Sequence, residues 1–394
     1  MKKTAILILA ASLIFSLGAC GSSGSSTENN AKTTHGDKEL YIGGIGPTTG
    51  AYANYGLSVQ HGAEVAVKEI NETGGIGGMT ITFSMQDSQG DPEAAVSAYG
   101  KLLDWGMDVS IGTVLSGEMA SVVNASANDD MFMITASASA DACLEASKNA
   151  FRICFYDSYQ GIAAADYVNQ NLPGKAVSVF YQSDNDYSVG LYESFEARCK
   201  ELGITFKTVQ TFLKSDTDYT AQINALADSG AEIIFIPIYA EEASTFLTQA
   251  KNGTADAIFG ENTYFFGADG LDGIMGKVSD PKDANNVLML TPFAENSTDE
   301  KVKNFVSKYQ AAYGSTPDQF AADGYDAIYV LKEVIEKAGY TASSQISGAK
   351  LSSTITTLSY KGVTGEMKWK ENGNTDKGCT AIIYKDGAGS VFGE

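Results

Sequence analysis

The sequence predicts an α/β protein with two lobes, each built on a doubly wound parallel sheet. Strand-like and helix-like segments alternate along nearly the whole chain, a pattern that favours parallel strands connected by helices. The folded part begins near residue 38 and has about 355 residues, which is too long for one hydrophobic core. These two observations together predict two lobes.

The predicted elements follow one another from residue 40 onwards. Leu40–Gly44 is a short apolar run that ends in glycines and predicts a strand, whereas Gly56–Asn71 has apolar residues at helical spacing. Asp91, Pro92 and Glu93 are typical of a helix start. Asp91 can cap the helix, Pro92 suits the first helical position because no N–H is needed there, and Glu93 places an acid in the first turn. Further strands are predicted at Met79–Asp87, Met107–Gly112, Met131–Thr135, Ala176–Tyr181, Ile204–Thr208 and Glu232–Pro237.

Small and polar residues follow two neighbouring strands of the first lobe. Leu115 and Ser116 come after one strand, and Ala136–Ser139 after the next. Ligands of parallel sheets bind beyond the carboxyl ends of the strands, where amides and hydroxyls at helix starts attract anions. The pattern leaves open whether these residues bind a carboxylate or only cap helices. Glu118, an acid in the following first turn, is expected to stabilise the helix dipole.

The N-terminal segment predicts export and a lipid anchor. Lys2 and Lys3 precede an apolar run over residues 5–17, which predicts a signal peptide over residues 1–19. The run that ends in Cys20 resembles a bacterial lipobox, whose cysteine is diacylated, although an ordinary signal that happens to contain a cysteine is the alternative. Residues 20–37 then form a flexible tether. The predicted location is extracytoplasmic, at the outer face of the cell membrane or in the periplasm.

Composition excludes several classes of function. The formal net charge of −21 becomes −23 once residues 1–19 are removed, so the chain lacks a basic surface for nucleic acid. The histidines and cysteines lack metal-ligand spacing, and no nucleophile–base motif is present. The sequence therefore predicts no metal, no cofactor and no enzyme activity. Cys143 and Cys154 flank a short connection, so a disulfide and two free thiols both remain open.

Eight stretches, in this order and spacing, resemble the extracytoplasmic solute-binding proteins of branched-chain amino-acid ABC importers. This is the leucine/isoleucine/valine-binding family, which has the type I periplasmic-binding-protein fold. The resemblance runs from about Leu40 nearly to the end of the chain. The matching stretches are Ile45–Gly50, Asn71–Ile76, Asp91–Ala95, Ile134–Ala138, Phe151–Arg152, Asn185–Leu191, Asp216–Thr220 and Gly324–Ala327.

The resemblance implies two lobes that are joined by three crossovers and close on a ligand by a hinge motion. It places lobe I at residues 38–156 plus 292–369, and lobe II at residues 157–291 plus 370–394. It also implies a monomer that binds a small amino acid, most simply leucine, isoleucine or valine, and delivers it to ABC transporter permease subunits.

The resemblance further implies a set of ligand-binding residues. Ser116, Ser137 and Ser139 are expected to hold the ligand carboxylate, and aromatic and apolar residues to cover the side chain. Alignment places Asn262, with Glu261 beside it, where the family has an acid for the ammonium group. That departure leaves open an amide, urea or aromatic-acid ligand, as well as a receptor subunit that senses its ligand. The predicted ligand-binding residues are Tyr55, Leu115, Ser116, Ser137, Ser139, Tyr187, Tyr239, Glu261, Asn262 and Tyr325.

Overall fold

The computed structural model describes residues 35–252, 259 and 262–392. The predicted signal peptide, Cys20 and most of the predicted tether lie outside these residues. All described residues belong to one compact unit. Within it, none of the helices combines the length and apolarity that a membrane crossing requires.

Strands and helices alternate along the chain as predicted. The strands are β1 (Glu39–Gly46), β2 (Thr80–Asp87), β3 (Val109–Thr113), β4 (Met133–Thr135), β5 (Ala150–Arg152), β6 (Val177–Gln182), β7 (Phe206–Phe212), β8 (Ile233–Phe235), β9 (Tyr264–Gly267), β10 (Val287–Thr291), β11 (Ser359–Gly362), β12 (Gly365–Lys368), β13 (Thr380–Lys385) and β14 (Ala388–Val391). The helices are α1 (Ala53–Glu72), α2 (Pro92–Trp105), α3 (Ser116–Ala125), α4 (Asp157–Asn171), α5 (Asp186–Glu201), α6 (Thr220–Asp228), α7 (Ala240–Asn252), α8 (Glu300–Tyr313), α9 (Gln319–Lys337) and α10 (Gly348–Ile355).

The strands form two main sheets. The first has the order β2-β1-β3-β4-β5 and is parallel throughout. The second has the order β14-β13-β10-β9-β8-β6-β7, in which β13 pairs antiparallel with both β10 and β14 and the remaining pairs are parallel. The chain passes to the second sheet after β5, leaves it after β10 for helices that pack on α1, and returns after β12. The predicted fold class, two doubly wound sheets with three crossovers, is confirmed.

Local signals placed most elements well, but one strand was placed too early. The cap predicted at Asp91 is present, because its carboxylate accepts a hydrogen bond from the Ala94 amide at 2.8 Å. The strand predicted at residues 204–208 instead spans Phe206–Phe212, since half-buried and exposed side chains alternate as far as the buried Phe212.

The predicted tether extends too far towards the folded body. The ring of His35 stacks on Tyr41 at a centroid distance of 3.9 Å, and its Nε2 lies 3.1 Å from the Asp108 carboxylate. The carbonyl of Asp37 accepts a hydrogen bond from the Ser343 amide. Residues 35–37 therefore belong to the packed structure.

The four cysteines among the described residues form no disulfide, which settles the pairing of Cys143 and Cys154 that the sequence left open. Cys143, Cys154 and Cys199 are buried free thiols, and Cys379 is a partly exposed one. The sulfurs of Cys143 and Cys154 both lie near the Ala138 carbonyl, at 3.7 and 3.5 Å.

Helices α1 and α9 pack against each other through glycine. A Cβ atom on Gly62 would lie 1.8 Å from the carbonyl oxygen of Ala321, and one on Gly324 would lie 2.3 Å from that of Val59. Because backbone atoms cannot move aside as a flexible side chain can, this approach requires a residue without a side chain at both positions.

We expect Gly62→Ala to lower the free energy of unfolding by at least about 1–3 kcal/mol, because the added methyl group forces the two helices apart. Gly100→Ala is the matched control, since Gly100 lies inside α2 with no atom within 4 Å of its added Cβ. That change should raise stability by about 0.5–1 kcal/mol. Urea unfolding measures both, and equal stability of the two variants would contradict this account of the helix contact.

Candidate ligand-binding cleft

The carboxyl ends of strands from both sheets meet at one cavity. Loops after β3 and β4 form its first side, and loops after β8 and β9 its second side. Its volume is about 10 Å³, room for about one water molecule, so a larger molecule enters only when the walls separate. The lining residues are Tyr55, Val114, Leu115, Ser116, Ser137, Ser139, Tyr187, Tyr239, Asp269, Gly270 and Phe320.

The hydroxyl of Ser116 organises the first side of the cavity. Its oxygen accepts hydrogen bonds from the amides of Ser139 and Ala140, both at 3.1 Å. A hydroxyl has two acceptor sites and one hydrogen, so the Ser116 hydrogen remains available for donation. Ser139 is 1% exposed, and its own hydroxyl forms no hydrogen bond of normal geometry among the described residues, although it is near enough to Asp157 to lower the pKa of that carboxyl. Two hydroxyl donors therefore lie at the start of α3, where the helix dipole favours an anion.

Ser137 differs from the two other serines. Its hydroxyl donates to the Val114 carbonyl at 2.8 Å, so only its acceptor sites remain free. The amides of Ser137 and Ala138 donate to the Thr135 hydroxyl. The turn thus offers a ligand fewer free amides than the sequence suggested, and Ser137 is suited to accept a hydrogen bond rather than to hold a carboxylate.

A buried arginine fixes the shape of this turn. Arg152 is fully buried and donates to the carbonyls of Ser139 and Ala140, the second at 2.9 Å. Because those carbonyls are held from behind, the amides of Ser139 and Ala140 keep their direction towards the Ser116 hydroxyl.

Tyr55 connects the two sides of the cavity. Its hydroxyl donates to the Gly270 carbonyl and accepts from the Ala240 amide, both at 2.7 Å. The ring packs edge-on against Phe320 at 4.7 Å and lies 5.6 Å from the ring of Tyr239. This buried side chain of α1 therefore joins α9 to loops of the second sheet.

The second side of the cavity carries a buried acid, Asp269. Its carboxylate accepts a hydrogen bond from the Tyr187 hydroxyl at 2.8 Å, and that hydroxyl accepts from the Gly270 amide at 2.7 Å. The ring of Tyr187 stacks on Tyr239 with centroids 4.7 Å apart. Asp269 is 2% exposed and forms no ion pair with a described lysine or arginine.

The electrostatics of the cleft disfavour a second negative charge beside Asp269. Burial raises the pKa of Asp269 to about 7, and the hydrogen bond from Tyr187 lowers it only in part. Burial, with the nearby Asp269, also raises the pKa of Asp157 well above its usual range. A cationic group placed beside Asp269 would compensate its charge and favour the ionised form.

Asn262, one of the two residues predicted to meet an ammonium group, is at the wrong end of a strand. Asn262 is exposed and precedes β9, so it lies at the amino end of that strand. Glu261 lies outside the described residues and also precedes β9 in sequence. The carboxyl end of β9 leads instead to Asp269, which sequence reasoning missed. The signal was present: an aromatic run, Tyr264–Gly267, followed by a small residue and an acid.

Tyr325, another predicted ligand contact, also lies elsewhere. Its hydroxyl donates to Glu69 at 2.9 Å, and its ring packs on Phe305 at 4.6 Å. Phe320 lines the cavity from the first turn of α9, and a residue five positions later points about 140° away around the helix axis. The other predicted residues of the set, Tyr55, Leu115, Ser116, Ser137, Ser139, Tyr187 and Tyr239, are brought together at the cavity.

No group of histidine, cysteine and acidic side chains in the described residues could hold a metal ion. The arrangement instead combines hydroxyl donors on one side, an acid on the other and aromatic rings between them. Such a site can bind a small molecule that carries both charges.

We expect Ser116→Ala to destabilise the protein, measured without added ligand, by about 1–3 kcal/mol, because the amides of Ser139 and Ala140 lose their acceptor. Ser139→Ala is the matched control, since it removes a hydroxyl that has no partner, and it should change unfolding little. Thermal and urea unfolding of both variants measure the difference. Similar destabilisation by the two changes would contradict the assignment of Ser116 as the acceptor that holds the turn.

Comparison with known proteins identifies the family. Residues 39–388 match the family model described as periplasmic binding protein. The Leu/Ile/Val-binding protein homolog 3 of Brucella melitensis is 29% identical over 342 residues, which are 84% of this chain and 89% of that protein.

Solved structures of periplasmic binding proteins are also similar to this chain. The branched-chain amino acid transporter substrate binding protein LivJ from Streptococcus pneumoniae, in complex with isoleucine, has a TM-score of 0.80 and 26% identity, covering 90% of this chain and 99% of that chain. A solute binding protein of an ABC transporter from R. palustris, in complex with benzoate, has a TM-score of 0.79 at 21% identity, covering 90% and 96%, and shows the fold alone. The chain therefore belongs to the periplasmic binding protein family and has the type I fold of the branched-chain amino-acid binding proteins that its sequence resembles.

Proposed function

We propose that the chain captures a branched-chain α-amino acid in this cleft, outside the cytoplasm, and delivers it as a monomer to the permease of an ABC importer. One observation carries the proposal: two hydroxyl donors and one buried carboxylate line the same cavity from opposite sides. A zwitterion has the complementary pair of charges.

The carboxylate of the ligand would bind at the start of α3. The Ser116 hydroxyl has a hydrogen left to donate, and the Ser139 hydroxyl has no other partner among the described residues. Hydrogen bonds to a charged acceptor are about twice as strong as neutral ones, which offsets part of the desolvation of the ligand carboxylate.

The ammonium group of the ligand would bind between Asp269 and Ser137. Asp269 supplies the negative charge, and Ser137 supplies an acceptor because its hydrogen is committed to Val114. This replaces the sequence-based assignment of the ammonium contact to Glu261 or Asn262.

The side chain of the ligand would lie among apolar and aromatic walls formed by Val114, Leu115, Tyr239 and Phe320. Such walls favour an aliphatic group. The Leu/Ile/Val-binding homolog from Brucella and the isoleucine complex of LivJ support the same ligand class for this chain.

An aromatic acid such as benzoate fits the charges less well. It carries one negative charge and no cation, so it would leave Asp269 without compensation in a buried site. Asp269 would then stay protonated, whereas an ammonium group beside it favours the ionised form.

Contacts between loops of the two sheets support closure on the ligand. The Tyr52 hydroxyl donates to Glu242 at 2.6 Å, and the Lys277 ammonium group donates to the Ala51 carbonyl at 2.6 Å. Together with the Tyr55 hydroxyl, these polar contacts join the loop after β1 to the second sheet. They can form and break with a hinge motion, which is how such domains admit and enclose ligands.

We expect leucine, isoleucine or valine to bind with one-to-one stoichiometry in calorimetry, and a hundredfold excess over the dissociation constant to stabilise the protein by about 2.7 kcal/mol. Asp269→Asn should weaken binding at least about tenfold, because the ammonium group loses its counter-charge. Asn262→Ala is the matched control and should leave the affinity unchanged.

A pH series adds a second readout. Because burial raises the pKa of Asp269 to about 7, this group is increasingly protonated as pH falls below 7, and the ligand must displace that proton. Affinity should therefore drop from pH 8 to pH 6 in the wild type and depend less on pH in Asp269→Asn. Failure of all natural amino acids to bind would refute the proposal, as would equal losses in Asp269→Asn and Asn262→Ala.

The anchor is a separate part of the proposal. Cys20 lies outside the described residues, and its lipidation rests on the lipobox-like run that precedes it. We expect Cys20→Ala to move the protein from the membrane fraction to the soluble extracytoplasmic fraction, because two acyl chains are what holds it at the surface. Ser22→Ala is the matched control and should stay with the membrane. Full membrane retention of Cys20→Ala would show that the anchor is something else.

A further inference from the structure

A second cavity adjoins the ligand cavity. Its volume is about 190 Å³, and it shares Leu115, Tyr187 and Tyr239 with the smaller cavity. We call it the outer cavity. Its remaining wall includes Glu118 from α3 on one side and Asp184, Asp186 and Lys214 on the other.

Glu118 is the unusual residue of this wall. It is 1% exposed, yet neither carboxylate oxygen has a hydrogen-bond partner among the described residues. Buried carboxylates are normally paired or hydrogen-bonded, because desolvation of the charge is costly. An orphaned acid that lines a cavity beside the ligand site therefore points to a partner that arrives with the ligand.

A capping role does not account for Glu118. It occupies the third position of α3, from which a glutamate can reach back to the amide of the capping residue, here Leu115. The Leu115 amide and the Ser88 hydroxyl are near enough to lower its pKa, but neither forms a hydrogen bond of normal geometry with it. Burial dominates and raises the pKa to about 7, with Asp87 and Asp91 adding to the rise.

The other acidic residues of the outer cavity either accept hydrogen bonds within the protein or add negative charge that repels an anion. Asp184 accepts hydrogen bonds from the Gln182 amide group at 2.8 Å and from the Lys214 backbone amide at 3.0 Å. Asp186 adds a further negative charge at the start of α5. The wall of the outer cavity thus includes three acidic residues and one lysine, so the cavity favours a cation.

We infer that the outer cavity is a side-chain subsite for α-amino acids that end in a cation, with Glu118 as the counter-charge. The inference rests on the proposed function, since the α-carboxylate and α-ammonium groups would bind as described above. Leu115, Tyr187 and Tyr239 separate the two cavities, and a side chain that passes between them enters the outer one. The cleft then accepts lysine or ornithine in addition to aliphatic amino acids.

The test compares three ligands by calorimetry: leucine, lysine and norleucine, which has the same carbon chain as lysine but no terminal amine. The wild type should bind lysine more tightly than norleucine. Glu118→Gln keeps the shape and removes the charge, so it should weaken lysine about tenfold or more while changing leucine affinity by less than about threefold. Glu93→Gln, which removes an exposed first-turn acid of α2, controls for loss of a helix-dipole interaction.

The outcomes separate this inference from the proposed function. If leucine binds but lysine does not, or if Glu118→Gln weakens leucine and lysine equally, the subsite is refuted and the proposed function stands. If no amino acid binds, both fail. Should Glu118→Gln not fold, the wild-type preference between lysine and norleucine decides: tighter lysine binding supports the subsite, and equal or weaker binding overturns it.

Discussion

The buried carboxylate of Asp269 is the constraint on which the cleft depends. It sits at the carboxyl end of β9 with one tyrosine hydroxyl as its partner and with no cation paired to it among the described residues. The fold keeps this costly group because Tyr187 is itself fixed, by its stack on Tyr239 and by the Gly270 amide. A Cβ atom on Gly270 would lie 2.6 Å from the Tyr187 hydroxyl, so this glycine is required for the approach. A cationic group bound beside Asp269 would compensate its charge.

The loops after strands of the first sheet form the opposite side of the cavity, where backbone contacts fix the direction of the serine hydroxyl hydrogens. The Ser116 hydroxyl accepts hydrogen bonds from two amides, and the Ser137 hydroxyl donates one to a carbonyl. Ser116 is therefore left as a donor to the cavity and Ser137 as an acceptor. Arg152 holds the turn from behind. Specificity for a zwitterion would thus arise from backbone contacts that fix each hydroxyl, and not from the number of serines alone.

Local sequence signals predicted the elements because apolar periodicity and helix caps act within a few residues. They also indicated the turns after β3 and β4, since residues after parallel strands converge, whereas the tyrosines of the site came from the resemblance to the family. They failed where the answer depended on a strand boundary or on distant partners. Asp269 was missed because alignment with the family placed the acid at Asn262, which precedes β9, and Tyr325 was included although Phe320, one and a half turns earlier on α9, lines the cavity. The direction of the Ser137 hydroxyl depends on Val114, which no local pattern specifies.

A crystal structure with leucine bound tests the central claim most directly. The account predicts the ligand ammonium group within about 3 Å of an Asp269 oxygen, and the ligand carboxylate within hydrogen-bond distance of the Ser116 and Ser139 hydroxyls. A ligand bound in the reverse orientation, or one whose ammonium group contacts Glu261 or Asn262 in place of Asp269, would contradict it.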